Sequence, residues 1–87
     1  MSKVKVWIPE NLIKYKPLLK IGLHILVGKP FPYIEKVSRN EEKCVTFLLD
    51  DYAEECINAV VKYDGKKISE IIKAALIEAA KSNIKTI

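Results

Sequence analysis

The feature of this 87-residue sequence that most restricts its fold is a strand pattern that occurs once in each half. Residues 3–12 (KVKVWIPENL) and 43–53 (KCVTFLLDDYA) both alternate between two sets of side chains, as half-buried β-strands do. One set is apolar and is predicted to face inward: Val4, Val6 and Ile8, and Val45, Phe47 and Leu49. The other set is predicted to face outward: Lys3, Lys5 and Trp7, and Cys44, Thr46 and Leu48. Neither strand can bury its apolar face alone, so we predict that the two pair antiparallel.

Each predicted strand continues directly into a helix start. Asp50 and Asp51 follow the second strand, where an aspartate N-cap satisfies free backbone N–H groups and its charge opposes the positive helix end. Pro9 and Glu10 follow the first strand, and proline is tolerated in the first turn of a helix. The chain is therefore predicted to pass from strand to helix at the same point in both halves.

Apolar side chains at helical spacing predict the first helix of each half. In the second half they share one face up to a stop at Asp64-Gly65: Ala53, Ile57, Val60 and Val61. In the first half they share one face up to Gly28: Leu12, Leu19, Leu23 and Leu26. Pro17 lies inside this first-half helix and is predicted to kink it or to mark a restart after Tyr15.

A second helix is predicted in each half from an alignment without gaps. GKPFPYIEKVSR (residues 28–39) aligns on GKKISEIIKAAL (residues 65–76). In the second half, the apolar residues at helical spacing share one face: Ile71, Ile72, Ala75, Leu76 and Ala79. The sequence therefore predicts a strand, a helix and a further helix in each half of the chain.

The spacing of the two copies defines their boundaries. The offset is 41 residues from Ile8 to Leu49 but 37 between the aligned glycines, so the first helix is about one turn longer in the first copy. We predict a single domain over residues 1–87, with one strand–helix–helix repeat over residues 3–40 and another over residues 43–81.

Composition and charge limit the partners and the chemistry. The chain is 49% hydrophobic with a net charge of +4, a globular composition that weakly favours polyanionic partners. Cys44, Cys56 and His24 are too few for the usual four-ligand zinc sites, and the cysteine spacing predicts free thiols in a reducing interior. We therefore expect no metal and no cofactor, and a cytoplasmic location, in the host cell if the protein is viral.

Neither catalysis nor membrane insertion is expected. The sequence has no nucleophile–base set and no glycine-rich phosphate loop, so we predict no enzyme activity and no small-molecule substrate. The most apolar stretch, residues 18–27, is much shorter than the about 20 residues of a transmembrane helix. The first ten residues lack the apolar region of a signal peptide. His24 is predicted to be a packed helix residue rather than a ligand.

The order of these elements resembles the ribbon-helix-helix family of DNA-binding regulators. KCVTFLLDDYA and GKKISEIIKAAL carry the resemblance in residues 43–80, and KVKVWIPENL and GKPFPYIEKV carry it in residues 3–37. Family members usually hold one copy and dimerise, whereas this chain is similar to the tandem versions of some archaeal viruses. The resemblance implies an α+β, mostly helical fold in which two repeats form an intramolecular pseudo-dimer around a two-stranded antiparallel ribbon.

The resemblance also implies a function. The protein would be a sequence-specific regulator of transcription, more often a repressor, that inserts its ribbon into the major groove of double-stranded DNA. The implied base-contacting residues are Lys3, Lys5, Trp7, Thr46 and Leu48, with Lys5 suited to guanine and Thr46 to an A·T pair. The implied phosphate contacts, at the start of the second helices, are Lys29, Lys66, Lys67 and Ser69. Self-association on DNA is left open.

Several residues depart from the family pattern. Lys67 stands where the family often has Ser or Thr, and Pro30 and Pro32 lack N–H groups, so the first-half phosphate contact is expected to be the weaker one. Trp7 and Leu48 replace the usual polar or basic side chains. They either contact thymine methyl groups or are covered by another chain or by the C-terminal tail.

Two alternatives remain open, one for the function and one for the C-terminal tail. Trp7, Leu48 and Cys44 favour a different function, that of a protein-interaction module, antitoxin-like or part of a larger assembly. The tail, residues 82–87, either frays or adds an edge strand through Ile84 and Thr86.

The two halves differ in charge. Residues 1–43 contain nine basic and four acidic side chains, a net charge of +5, and residues 44–87 contain six and seven, a net charge of −1. The acids gather at a helix start, at Asp50, Asp51 and the two glutamates that follow, and would weaken DNA contact there. We therefore expect the first half to contribute more to DNA affinity, and the bound site not to be a strict palindrome.

Overall fold

A computed structural model of the chain describes residues 2–34 and 39–85. The elements follow one another in this order: strand β1 (Ser2–Pro9), a 3₁₀ helix (Glu10–Leu18), helix α1 (Leu19–Val27), a short 3₁₀ turn (Arg39–Glu41), strand β2 (Glu42–Leu49), helix α2 (Asp51–Asp64) and helix α3 (Ile68–Lys85). The described part of the chain is therefore a small α+β fold, mostly helical, with a two-stranded antiparallel sheet and three α-helices.

The two strands pair over their whole lengths and form a ribbon. Ser2 is opposite Leu49 at one end and Pro9 is opposite Glu42 at the other. Burial alternates along both strands, and the fully buried ribbon residues are Val6, Ile8, Phe47 and Leu49. The strand prediction is thus confirmed in its position, in the antiparallel pairing and in the side chains that face inward.

The first helix of the first half is interrupted at its proline. Glu10–Leu18 forms a 3₁₀ helix that includes Pro17, and α-helical geometry begins only at Leu19. Proline lacks an N–H, and its ring clashes with the carbonyl four residues earlier, so a regular α-helix cannot run through this position without distortion. The predicted restart therefore occurs after Leu18 rather than after Tyr15.

The predicted second helix of the first half is absent from residues 29–34. These residues form a bend and irregular chain, and residues 35–38 lie outside the described part. Pro30 and Pro32 provide the reason, because each removes an N–H donor and disfavours α geometry at the residue before it. The alignment with residues 65–76 predicted a helix from the position of these residues in the repeat, but the two prolines disfavour helical geometry over residues 29–34.

The second half follows its prediction more closely. The carboxylate of Asp50 accepts a hydrogen bond from the N–H of Ala53 at 2.9 Å, which makes Asp50 the N-cap of α2. The helix ends at Gly65, whose φ of 63° is the left-handed conformation that glycine adopts without cost. Helix α3 continues to Lys85, so the edge strand considered for the tail does not form through Ile84, and Thr86 lies outside the described residues.

The core lies between the inner face of the ribbon and the three helices. Its helical members are buried apolar side chains of all three: Leu19, Leu23 and Leu26 of α1, Ile57 and Val60 of α2, and Ile71, Ile72 and Leu76 of α3. Helices α1 and α3 approach most closely where Gly22 lies against the backbone of Ala75. A Cβ atom on residue 22 would stand 2.6 Å from the carbonyl carbon of Ala75 and nearer still to its oxygen.

This close approach predicts the effect of Gly22→Ala. In an exposed helix, glycine to alanine stabilises by about 0.5–1 kcal/mol, but here the new methyl group must push two helices apart. We expect a net loss of about 1–3 kcal/mol, as for other overpacked cores, measured as a lower urea midpoint. Gly28→Ala is the control, because a Cβ at residue 28 meets no atom within 4 Å. A higher midpoint for Gly22→Ala would contradict the packing described.

The N-cap of α2 predicts a pH dependence. Lys20 donates a hydrogen bond to the Asp50 carboxylate, and this contact, followed by the N–H of Ala53, holds the pKa of Asp50 below its ordinary value of 3.8. A carboxyl group with a lowered folded-state pKa stabilises the fold above its unfolded pKa, and this contribution is lost as the pH falls through the folded pKa.

The matched variant for this effect is Asp50→Asn, which can still cap the helix but carries no charge. We expect the parent protein to be more stable than the variant at pH 7, and the difference to narrow once the pH is below 3.8. Urea unfolding of both proteins across this range measures it. A difference that stays constant with pH would show that the Asp50 charge does not stabilise the fold.

Candidate nucleic-acid interface

The side of the ribbon that faces away from the core carries six side chains, in three directly opposed pairs: Lys3 with Leu48, Lys5 with Thr46, and Trp7 with Cys44. All six side chains are exposed, as the sequence predicted. We call this set the outer ribbon face. Because alternate residues of a strand point to the same side, these side chains form one continuous surface along the ribbon.

The dimensions of the outer ribbon face suit a DNA groove. Paired strands lie about 4.8 Å apart, so two strands with their side chains fit a major groove about 12 Å wide. Successive outward residues of one strand are roughly 7 Å apart, about two base-pair steps of duplex DNA. The three pairs therefore span a short run of bases along the groove.

The outer ribbon face is basic because of Lys3 and Lys5 of β1, and Lys5 lies in its central pair. The ion pairs among the described residues involve other lysines, namely Lys20, Lys29, Lys73 and Lys81. The ammonium groups of Lys3 and Lys5 are therefore not neutralised by a carboxylate of the described chain. Trp7 and Leu48 add apolar surface to the face, at 43% and 62% exposure.

The predicted phosphate-contacting residues of the second half lie at the start of α3. Lys66 and Lys67 are exposed, and Ser69 is half-buried. The carbonyl of Lys67 accepts the first helical hydrogen bond, from the N–H of Ile71 at 3.0 Å. A lysine side chain has no acceptor atom, so it cannot cap the first N–H groups of α3, which remain suited to an anion.

Two contacts define the surroundings of this helix start. The Lys66 ammonium lies 5.3 Å from the centre of the Phe31 ring. Lys73, in the second turn of α3, forms an ion pair of 3.0 Å with Glu42 at the beginning of β2. The N-terminal half of α3 therefore lies beside the end of the ribbon where Pro9 pairs with Glu42.

Lys29, the predicted phosphate contact of the first half, has a partner within the protein. Its ammonium is 3.4 Å from a carboxylate oxygen of Glu78 on α3, and Glu78 is only 5% exposed. Glu78 also pairs with Lys81 at 3.9 Å, but a buried carboxylate that loses one of its two cations is still destabilised. A phosphate would therefore have to compete with Glu78 for Lys29.

A lysine that the sequence did not single out lies beside the opposite end of the ribbon. The Lys16 ammonium is 5.7 Å from the centre of the Phe47 ring. It borders a cavity of about 460 Å³ with this lining: Lys16, Pro17, Leu19, Lys20, Phe47, Leu48 and Ala53. The net positive charge of residues 1–43 was the only sequence feature that indicated a basic site here, because the path of the 3₁₀ helix was not predictable from the sequence.

The acids at the start of α2 are partly engaged by the first half of the chain. Asp50 binds Lys20, and Glu54 accepts a hydrogen bond from the hydroxyl of Ser2. These contacts reduce the repulsion that we expected between this end of the ribbon and DNA.

His24 departs from its prediction. It is exposed rather than packed, and its Nδ1 atom is 2.6 Å from the hydroxyl oxygen of Tyr52. The two rings stack with their centres 6.4 Å apart, and burial, followed by the neighbouring Cys56, raises the pKa of Tyr52. His24 thus joins α1 to α2. Cys44 is exposed, as predicted for the outward set of β2, Cys56 is buried, and both are free thiols.

Residues 2–34 and 39–85 contain no membrane-spanning helix and no metal-binding cluster. No helix there has both the length and the apolar character needed to cross a bilayer. No three His, Cys, Asp or Glu side chains there are grouped so that they could hold a metal ion.

No protein-family model, curated protein or solved structure matches the chain significantly. The function is therefore inferred from the ribbon, its charges and its neighbours.

Proposed function

We propose that this chain is a sequence-specific double-stranded DNA-binding regulator of transcription that inserts its outer ribbon face into the major groove. In this proposal it acts as a tandem ribbon-helix-helix protein, with both halves of a pseudo-dimer in one polypeptide. Repression enters the proposal through the family resemblance alone, and a cytoplasmic location enters it through that resemblance and the two free cysteines.

The observation that carries the proposal is the register of the ribbon. Lys5 and Thr46 are 41 residues apart, the same offset that relates the two strand patterns, and they pair directly with each other. Val4 pairs with Phe47 and Val6 with Val45, so each pair joins a position of one copy to the reciprocal position of the other. Two strands related by a two-fold axis through the central pair would have this register, as in an isologous dimer.

Outside the strands, the two copies are similar only in part. In each half the strand runs into a helical segment, which ends at Gly28 in the first half and at Gly65 in the second. The copies diverge after these glycines, since residues 29–34 are irregular and residues 68–85 are helical. The proposal therefore assigns base contact to both copies, and the helix-start phosphate contact chiefly to Lys66, Lys67 and Ser69.

Five of the six outward side chains, all except Cys44, have a chemical partner in the groove. A lysine at the centre of the ribbon can donate to guanine O6 and N7, and Thr46 offers a hydroxyl and a methyl group to an A·T pair. Lys3 reaches a base or a phosphate, and Trp7 and Leu48 meet thymine methyl groups. The basic surplus of residues 1–43 supplies the attraction to the DNA backbone that does not depend on sequence.

A second candidate function is favoured by one observation on the same surface. Trp7 and Leu48 are large, apolar and exposed, and they occupy equivalent positions in the two copies, 41 residues apart. Such side chains are typical of the centre of a protein–protein interface. In this alternative, the outer ribbon face binds another protein, in the manner of an antitoxin or an assembly component.

The first prediction from the proposed function concerns Lys5→Ala. On a duplex selected for binding to the parent protein, we expect a loss of about 1–3 kcal/mol and a relaxed preference at one base position. Fluorescence anisotropy titrations of the selected duplex and its single-base variants measure both. Lys62→Ala is the control, because it also removes one exposed positive charge but lies in the last turn of α2. Unchanged affinity and base preference for Lys5→Ala would rule out base reading by the ribbon centre.

The second prediction concerns the shape of the binding site. The two ends of the outer ribbon face differ, with Lys3 and Leu48 at one end and Trp7 and Cys44 at the other. We therefore expect selection from random duplexes to return sites that are not perfect inverted repeats. Perfect inverted repeats would contradict this reading of the ribbon. Binding to no duplex, together with oligomers that Leu48→Ser dissociates, would favour the second candidate function.

A further inference from the structure

We propose that Lys16 binds a phosphate of the DNA backbone beside the Leu48 end of the outer ribbon face, with the adjoining deoxyribose seated in the cavity next to it. This inference rests on the DNA-binding function proposed above. It assigns the backbone contact of the first half to the 3₁₀ helix rather than to Lys29.

The 3₁₀ helix carries Lys16 along the ribbon from one end towards the other. Pro9, which precedes this helix, pairs with Glu42, yet the Lys16 ammonium lies against the ring of Phe47. Phe47 comes five positions after Glu42 in β2, about 17 Å along the strand. A 3₁₀ helix rises about 2 Å per residue, more than an α-helix, so seven residues from Pro9 to Lys16 cover about 14 Å.

The cavity beside Lys16 is continuous with the outer ribbon face. Leu48 belongs to both, since its side chain is part of the outer ribbon face and the residue is among those that line the cavity of about 460 Å³. The cavity is bordered by the buried residues Leu19, Phe47 and Ala53, and two lysines contribute to its lining. Apolar surface beside a cation suits a sugar ring with its attached phosphate.

Of the two lysines, Lys16 is the one available to an anion. Lys20 is bound to the Asp50 carboxylate. Lys16 has an aromatic ring as its neighbour, and no carboxylate partner among the described residues. An exposed cation on a ring is weakly held, so a phosphate can take over this ammonium without breaking an ion pair. Lys29, by contrast, would have to leave the buried Glu78.

The Lys16 site also complements the basic group at the other end of the ribbon. The ion pair between Lys73 and Glu42 joins the N-terminal half of α3, which begins just after Lys66 and Lys67, to the end where β2 starts. Lys16 lies near the end where β2 finishes. Backbone contacts at both ends of a ribbon fix its register in the groove without reading bases.

The test uses Lys16→Met, which removes the charge but keeps the unbranched chain that packs by Phe47 and Pro17. A selected duplex is titrated by fluorescence anisotropy at several salt concentrations. We expect the slope of log binding constant against log salt concentration to become shallower by about 0.9, the value for one phosphate contact. If parent and variant bind equally at 1 M salt, the variant then binds roughly eightfold more weakly than the parent at about 0.1 M salt. The loss should be the same on the selected duplex and on its single-base variants.

Three further variants make the result specific. Lys16→Arg should bind nearly as well as the parent, because it keeps the charge at the cavity. Lys62→Met should bind like the parent, because it removes an equivalent exposed charge far along α2. Lys5→Ala should change base preference, whereas Lys16→Met should not. Urea midpoints equal to that of the parent show that each variant is folded.

The outcomes separate this inference from the proposed function. If the parent binds DNA and Lys5→Ala weakens it, but Lys16→Met keeps the parental affinity and salt slope, the Lys16 site is wrong and the DNA-binding function stands. If Lys16→Met alters base preference instead of the salt slope, Lys16 is not a backbone contact. If the parent binds no duplex at any salt concentration, both proposals fall together.

Discussion

The pairing of β1 with β2 is the constraint on which the rest of this structure depends. The two strands come from opposite halves of the chain and leave no other strand in the described residues for either to pair with. Their register decides every face of the ribbon, because a shift by one residue would exchange the buried and exposed sets. With Ser2 opposite Leu49, Ile8 and Phe47 enter the core and Lys5 faces outward.

Once the strands are paired, the helices of the two halves must pack against each other. Gly22 and Ala75 allow α1 and α3 to approach until their backbones nearly touch. Two ion pairs, Lys20 with Asp50 and Lys29 with Glu78, join a basic side chain of the first half to an acidic one of the second. The uneven charge of the sequence is therefore used partly inside the fold, and only the remainder is available to a polyanion.

Patterns with a short period were predictable from the sequence. The alternation of apolar and outward-facing side chains along β1, the N-cap at Asp50 and the stop at Gly65 each depend on a few neighbouring residues. The predicted second helix of the first half, which is absent from residues 29–34, shows where such reasoning fails. The alignment considered only the position of each residue in the repeat. Pro30 and Pro32 disfavour a helix through local backbone chemistry, whichever residues they align with.

The neighbours of the lysines were not predictable, because they depend on the path of the chain in three dimensions. Lys29 and Lys16 have the same chemistry in the sequence, but the fold gives one a buried carboxylate and the other an aromatic ring. The 3₁₀ geometry of Glu10–Leu18, which decides the position of Lys16, has no clear sequence signature apart from Pro17.

The central pair of the ribbon has a consequence for covalent linkage of the two halves. In a symmetric homodimer, the residue on the two-fold axis pairs with its own copy. A lysine there would oppose a second lysine, and directly opposed like charges destabilise a strand pair. In this chain Lys5 is opposite Thr46. A single polypeptide can thus carry one cation at the middle of its ribbon without electrostatic repulsion across the strands. Two identical subunits cannot form this arrangement.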